Sequence, residues 1–186
     1  MNIKEEIEKY VPYNEQEEKD KKLLLKYFDT FDNLLTRENE FAHLTASNWI
    51  VNKERNKVLM VYHNIYKSWS WTGGHADGEE DLLKVALKEA KEETGLQNLK
   101  VISNGIYSIE ILPVGGHIKN GKYVSSHAHL DCCFLLEADE NETMRIKPDE
   151  NSGIKWVNIE EAEKITTEQV MVQIYQKLNK KLADLL

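Results

Sequence analysis

The hydrophobic pattern changes period at His43, and that change restricts the chain to a mixed α/β architecture. Before it, Leu24, Tyr27, Phe28, Phe31, Leu34 and Leu35 recur at three- and four-residue spacing with charges between them, the pattern of an amphipathic helix. Pro12 divides a short first helix from this longer one, so residues 1 to about 40 read as helical. After the change, HLTASNWIV and KVLMVYH have strand composition and are joined by the polar turn NKERN, which predicts two antiparallel strands. TGGHADGEED then reads as a loop, and the helical period returns in LLKVALKEAKEE, where Leu83, Ala86, Leu87 and Ala90 form one stripe. Gly95 stops that helix, as glycine does just past a last turn. Roughly residues 99–113 and 123–137 read as two longer strands connected through Gly115, Gly116, Asn120 and Gly121. GIKWV is a last strand before a helical tail from about Ile159. The order helix, strands, helix, strands, helix predicts an α/β/α sandwich with a mixed central sheet. The expected division is an N-terminal helical extension, 1–40, packed on a core domain at 41–186.

A chain of 186 residues accommodates one domain and a modest extension. With 41% apolar and 30% charged residues and only three prolines, the composition is that of a folded globular protein. No apolar run reaches membrane-spanning length, and MNIKEEIEKY has no apolar centre of the secretory kind, so a cytoplasmic protein is expected. Cys132 and Cys133 are adjacent and point to opposite faces of a strand, which argues for two buried thiols rather than a disulfide. The net charge of −8 argues against binding a long phosphate backbone. A small anionic substrate would need local positive charge, which bound cations supply most simply.

Glu89, Glu92 and Glu93 lie at i, i+3 and i+4 and so crowd three carboxylates onto one helix face. They also sit in the last turn, where the negative end of the helix dipole disfavours anions. Taken alone the triplet is an ordinary solvated face, because Glu80 with Lys84 and Lys88 with Glu92 are common i,i+4 pairs. The preceding Gly73 and Gly74 shift the balance, since they let backbone approach a ligand closely. A divalent cation would relieve the crowding, because hard ions seek carboxylate oxygens.

The stretch Gly74 to Leu96 resembles the Nudix box, GX5EX7REUXEEXGU with U aliphatic: Gly74, Glu80, Glu89, Ala90, Glu92, Glu93, Gly95 and Leu96 fall in register. Lys88 stands where the family has arginine, which keeps the charge and loses the planar two-pronged donor. The resemblance implies a Nudix-type α/β/α sandwich and hydrolysis of a diphosphate bond in a nucleoside diphosphate linked to another group. It implies that Glu89, Glu92 and Glu93 bind Mg²⁺ or Mn²⁺, helped by the carbonyl of Gly73, while Glu80 supports the loop and helix. Glu93 is the first choice of general base, and Glu150, before the last strand, is the alternative. Many relatives are homodimers, so a dimer is a candidate state.

Two other readings stay open. Lys88 raises that of a catalytically inert nucleotide-sensing module. An isomerase of the isopentenyl diphosphate type shares the fold, but its catalytic cysteine lies upstream of its box region, whereas Cys132 and Cys133 lie far downstream.

Outside the box, His127, His129 and Asp131 share one strand face. They have zinc chemistry but no matching second cluster in the sequence, so substrate contact by His127 and His129, or plain polar exposure, is favoured. Trp71, Trp69 and Tyr66 are candidates to stack on a nucleobase, with core packing expected for at least one tryptophan. His75 is a candidate phosphate contact, and nothing local supports Arg37 or His43 as pocket residues.

Overall fold

A computed structural model describes residues 2–119 and 121–185. Two helices open the chain, α1 (Ile3–Lys9) and α2 (Glu15–Thr30), each begun by an asparagine whose side chain accepts an amide of the first turn, Asn2 from Glu5 and Asn14 from Glu17. Strands β1 (Ala42–Val51), β2 (Lys57–His63), β3 (Ser68–Ser70) and β4 (Thr72–His75) lead to α3 (Leu82–Thr94). Then come β5 (Lys100–Val101), β6 (Ser108–Val114), β7 (His117–Lys119), β8 (Lys122–Val124), β9 (His127–Glu137) and β10 (Asn151–Asn158). The short α4 (Ala162–Ile165) and α5 (Gln169–Ala183) close the fold.

The main sheet runs β10-β2-β1-β9-β5, with β6 also on β9. β1 and β9 are parallel from Ala42↔Ala128 to Val51↔Glu137, and the other pairings are antiparallel, so the sheet is mixed. β1 meets β2 at Val51↔Val58, after which the two diverge; β4 continues the pairing along β1 and β3 along β2.

Side-chain alternation divides the sheet into two buried faces. Leu44, Ala46, Leu130 and Cys132 pack with Leu82, Val85 and Ala86 of α3 and with Ile3, Ile7 and Leu24 of the first two helices. On the opposite face Trp49, Val51, Cys133 and Leu135 pack with Met171, Ile174, Tyr175 and Leu178 of α5. The result is the α/β/α sandwich expected. Both cysteines are free and buried, one on each face.

Three local expectations change. The helix expected to about residue 40 stops at Thr30, where Phe31 turns extended (φ −127°, ψ 134°). A loop follows, folded on Asn39, whose side chain accepts the amides of Phe41 and Ala42 at 3.1 Å each. Leu34 still joins the core and Phe31 and Leu35 pack against it, so helix-spaced apolar residues are satisfied without a helix. The start of TGGHADGEED is strand rather than loop: a Cβ on Gly73 would lie 2.7 Å from the carbonyl oxygen of Ala46, so glycine is what lets β4 dock there. The two long strands are each broken, the first by a bend at Ser103–Gly105 (Gly105 φ 85°) and the second by a separate β7–β8 hairpin. Asn120, expected in the connection, lies outside the described residues.

α2 also closes a sheet edge. Ile111 N donates to Asp20 at 3.1 Å and Ile109 O accepts from Gln16 at 3.2 Å, so side chains satisfy backbone groups of β6 on the edge where, among the described residues, no further strand pairs.

Candidate active site

α3 is held against the sheet by polar as well as apolar contacts. Asn48 of β1, 1% exposed, donates to the carbonyl of Ala86 at 2.9 Å and to Thr72 at 3.2 Å, tying helix and β4 to one point. Asp81 caps the helix by accepting from Lys84 N at 3.0 Å, and Gly95 ends it at φ 77°. Glu80 is exposed just before this cap; its neighbour Glu79 makes the local contacts, accepting from Asp81 N at 3.2 Å and pairing with Lys84.

This docking lays the acidic face of α3 along the glycine pair. Gly73 N donates to Glu93 Oε1 at 2.9 Å. A Cβ on Gly74 would lie 2.5 Å from Glu89 Cδ, so the carboxyl group occupies the space that glycine leaves. The third carboxylate comes from the segment before β10. The last carbonyls of a helix lack helical partners, and here Thr94 O accepts from Arg145 N at 2.8 Å while Glu93 O accepts from the buried Asn151 side chain at 3.2 Å. Those bonds pin the segment onto the end of α3 and bring Glu150 beside it. Carboxylate oxygens of Glu89, Glu93 and Glu150 lie within 4.8 Å of one another.

Glu92 stands apart from this trio. Its side chain is 40% exposed and faces Lys88 at 3.5 Å and Lys147 at 3.4 Å. Lys88 also reaches Glu89 Oε1 at 3.1 Å, so the residue in the arginine position does contact a box carboxylate, with one ammonium rather than a fork. Lys147 bonds Glu150 at 2.9 Å; nothing in its local sequence marks it. Burial is the main reason that the Glu93 carboxyl is pushed up to about 8, and Glu150 and Glu89 push the same way against the Gly73 hydrogen bond. A crowded, part-buried carboxyl set of this kind fits a hard divalent cation: the donors are all oxygen, and a cation would favour the ionised form of Glu93 that burial and the neighbouring carboxylates disfavour.

On the opposite face of the sheet, His129 and Asp131 pair in register with His43 and Thr45, and His75 lies across from Thr45. His43 stacks close to His75, His127 and His129, with ring centroids 5.1, 4.8 and 5.1 Å away. The four come from three strands, so sequence brings only His127 and His129 together. Burial, with His75, His43 and His127 adding to it, lowers His129 to about 2.

Asp131 is turned away to the buried hydroxyls of Thr45 (2.6 Å) and Ser47 (2.5 Å). Burial raises it to about 6 against those hydrogen bonds. A carboxyl raised in the fold contributes stability that is fully present below its unfolded value of 3.8 and is lost as pH rises through about 6. Asp131→Asn is therefore expected to flatten the part of the stability profile between these values, measured by urea unfolding across that range.

The tryptophans pack. Trp71 meets Tyr175 edge-on at 5.9 Å and Trp69 meets Tyr62 edge-on at 5.5 Å, and both lie against the core beneath α5. Arg37 makes a two-pronged pair with Asp77 at 2.8 and 2.6 Å.

The NUDIX domain family matches residues 42–178, most of the chain. The chain belongs to the Nudix family. It is thus a hydrolase of pyrophosphate bonds. An RNA pyrophosphohydrolase of Pelagibacter ubique is 28% identical over 143 residues, covering 74% of this chain and 89% of the relative. Among solved structures, a Nudix hydrolase of Clostridium perfringens aligns with TM-score 0.55 at 24% identity, over 77% of this chain and 98% of the other. A C. elegans Ap4A hydrolase complex aligns with TM-score 0.55 at 21% identity, over 75% and 98%. A Methanosarcina mazei MutT protein reaches 0.59 at 13% identity, over 77% and 96%. At these identities the three structures support the Nudix fold alone.

Gly74→Ala is expected to push the Glu89 carboxyl out of its place, lowering kcat by roughly tenfold to a hundredfold, as small misplacements of catalytic groups do. Circular dichroism should stay native, because Glu89 lies at the edge of the core; native activity in this variant would show that the Glu89 position is unimportant.

Proposed function

We propose that the enzyme hydrolyses the diphosphate linkage of a nucleoside diphosphate derivative, with Glu89, Glu93 and Glu150 holding a divalent cation, Mg²⁺ or Mn²⁺. The observation that carries this reading is the convergence of those three carboxylates within 4.8 Å beside the Gly73–Gly74 backbone. When bound, such an ion supplies neutralising charge for a diphosphate and makes water more acidic. Glu93 is the general base in this reading: a cation beside it would keep its carboxylate ionised, and its place in the cluster next to the Gly73 amide sets it where a proton must be accepted. It takes the proton as water attacks phosphorus in line and the P–O bond to the leaving group breaks. Glu150 is the alternative base, Glu92 serves at the rim with Lys88 and Lys147, and Gly95 ends the helix, while the exposed Glu80 is assigned no role in holding the loop. His75, His127, His129 and Trp71 are assigned no catalytic step. In the same reading residues 1–40 form an extension packed on a Nudix domain at 41–186.

The buried thiols give no support to isomerase chemistry: both are fully buried, and burial pushes each well above the ordinary thiol range. The relatives' names set the range of substrates to test, which includes RNA 5′ ends and dinucleoside polyphosphates. With a net charge of −8, a small nucleotide is favoured over a long RNA. No described helix is long and apolar enough to cross a membrane. The test is release of phosphate or nucleoside monophosphate from nucleoside triphosphates, ADP-ribose, NADH, dinucleoside polyphosphates and 5′-triphosphorylated RNA, with Mg²⁺, Mn²⁺ or chelator. Turnover of at least one small substrate that stops with chelator is expected. Tight binding without any turnover, unchanged by Lys88→Arg, would instead mark a nucleotide sensor.

A further inference from the structure

We propose that His43, His75 and His129 form a second metal site, for a zinc-class divalent ion, on the sheet face opposite the carboxylate cluster. Their ligand nitrogens lie within 4.8 Å of one another, and they come from β1, β4 and β9, so the fold gathers them. His127, on the same face of β9, stands beside them with its Nε2 3.3 Å from the Nε2 of His129.

The hydrogen-bond pattern sets what such a cluster can bind. His43 Nδ1 lies 3.1 Å from the carbonyl oxygen of Asn39, and His127 Nδ1 lies 2.8 Å from that of Ser125. A carbonyl only accepts, so each Nδ1 carries a proton, and Nε2 is the nitrogen left to present a lone pair to a metal. This is the arrangement in which an outer partner fixes the tautomer of a metal-binding imidazole. A hydrogen bond between His127 and His129 satisfies one such lone pair. It leaves the Nε2 of His43, on a residue 5% exposed, buried with no partner. An anion would require donors here, whereas a buried acceptor among imidazoles asks for a cation.

Imidazole selects borderline transition ions over Mg²⁺, which prefers oxygen. In a tetrahedral zinc site with bonds of about 2.0–2.1 Å, ligand nitrogens stand roughly 3.4 Å apart. The ligand nitrogens of His43, His75 and His129 lie within 4.8 Å of one another, so a bound ion would draw the three rings inward to reach that spacing. In a tetrahedral site three histidines leave one coordination position for water or a further ligand. The carboxylate cluster differs in donor type and in sheet face, with Gly74 facing Glu89 and the next residue, His75, facing the other way. The two sites are therefore separable by metal and by mutation, and this proposal stands whether or not the carboxylates are the catalytic centre.

The test is metal binding by the full chain after chelator treatment and dialysis. Zn²⁺ or the spectroscopic probe Co²⁺ is added with Mg²⁺ in large excess, and metal per chain is measured together with the visible Co²⁺ spectrum. One ion per chain with a tetrahedral-type Co²⁺ spectrum is expected. His43→Ala or His129→Asn should weaken it by at least about 100-fold, and Glu89→Gln/Glu93→Gln should leave it in place. Should the His43 variant fail to fold, nitrogen NMR of the wild-type imidazoles still decides, since Zn²⁺ must shift His43, His75 and His129 together. The proposal is overturned if the wild type takes up no stoichiometric Zn²⁺ or Co²⁺ over Mg²⁺, or if bound metal is lost with the carboxylate variants and kept in the histidine ones.

Discussion

Glu93→Gln is expected to lower kcat by about 10²–10⁴-fold, the range for losing the general base proposed above, while leaving the fold intact and more stable in chelator. Both halves of this expectation come from one environment. Glu93 is 3% exposed and held protonated to about 8, so ionising it inside the fold is costly. The sign follows from linkage: a carboxyl raised from 4.5 to about 8 contributes stability at low pH that is lost as pH rises through that interval. Glutamine resembles the protonated form and keeps an oxygen for the Gly73 amide, so the variant escapes that loss. A gain on the order of 1–3 kcal/mol near neutral pH is expected in chelator, discounted from the full shift for relaxation around the site. Glu92→Gln serves as the control, because its side chain is 40% exposed and engaged by two lysines; its kcat should fall less than that of Glu93→Gln. The measurements are steady-state kinetics with saturating Mg²⁺ and urea unfolding with chelator. If Glu93→Gln keeps activity within tenfold while Glu150→Gln loses it, the general base is Glu150.

The contrast between these residues shows what was legible in the sequence. The acidic helix face, its glycine stop and the glycine pair before it are local, and local spacing finds them. Helical periodicity also explains why Glu89 and Glu93 face the sheet, since they are four residues apart on the side carrying Ala86 and Ala90. It does not tell which of three carboxylates turns outward; Glu92 does so because Lys88 and Lys147 meet it at the rim. Glu150 joins the cluster only because Arg145 N and Asn151 bind the end carbonyls of α3, a tertiary contact without a sequence period. The histidines show the same limit. His127 and His129 alternate visibly along one strand, but His43 and His75 reach them through the parallel β1–β9 register and the β4 pairing, which no short-range pattern encodes.

The same limit hid the largest stability effect expected in the molecule. Glu17, Lys177 and Lys181 carry no sequence signal that sets them apart from other helix charges, and they are 0, 8 and 9% exposed. Glu17 bonds Lys177 at 3.0 Å, Lys181 at 2.9 Å, the Tyr10 hydroxyl at 2.5 Å, Tyr13 N at 2.7 Å and Ser108 at 2.8 Å. The carboxylate thus joins α2, β6 and α5, adding a polar tie to the apolar packing of Leu24 against Ile109. Burial alone would raise its pKa, but Lys177, Tyr10, Tyr13 and Lys181 together bring it down to about 2. Glu17→Ala is expected to cost about 3–5 kcal/mol, because it leaves the buried Lys177 with Glu110 as its remaining carboxylate and the buried Lys181 with the Tyr10 hydroxyl and the Tyr107 carbonyl in place of a counter-charge. The pH dependence gives a second signature. A carboxyl lowered from 4.5 to about 2 contributes stability above 4.5 that disappears as pH falls through about 2. Wild type and variant should therefore differ most near neutral pH and converge in strong acid. Urea unfolding at a series of pH values measures both, and a loss under about 1 kcal/mol at neutral pH, the range of an exposed pair, would mean that water already screens this network.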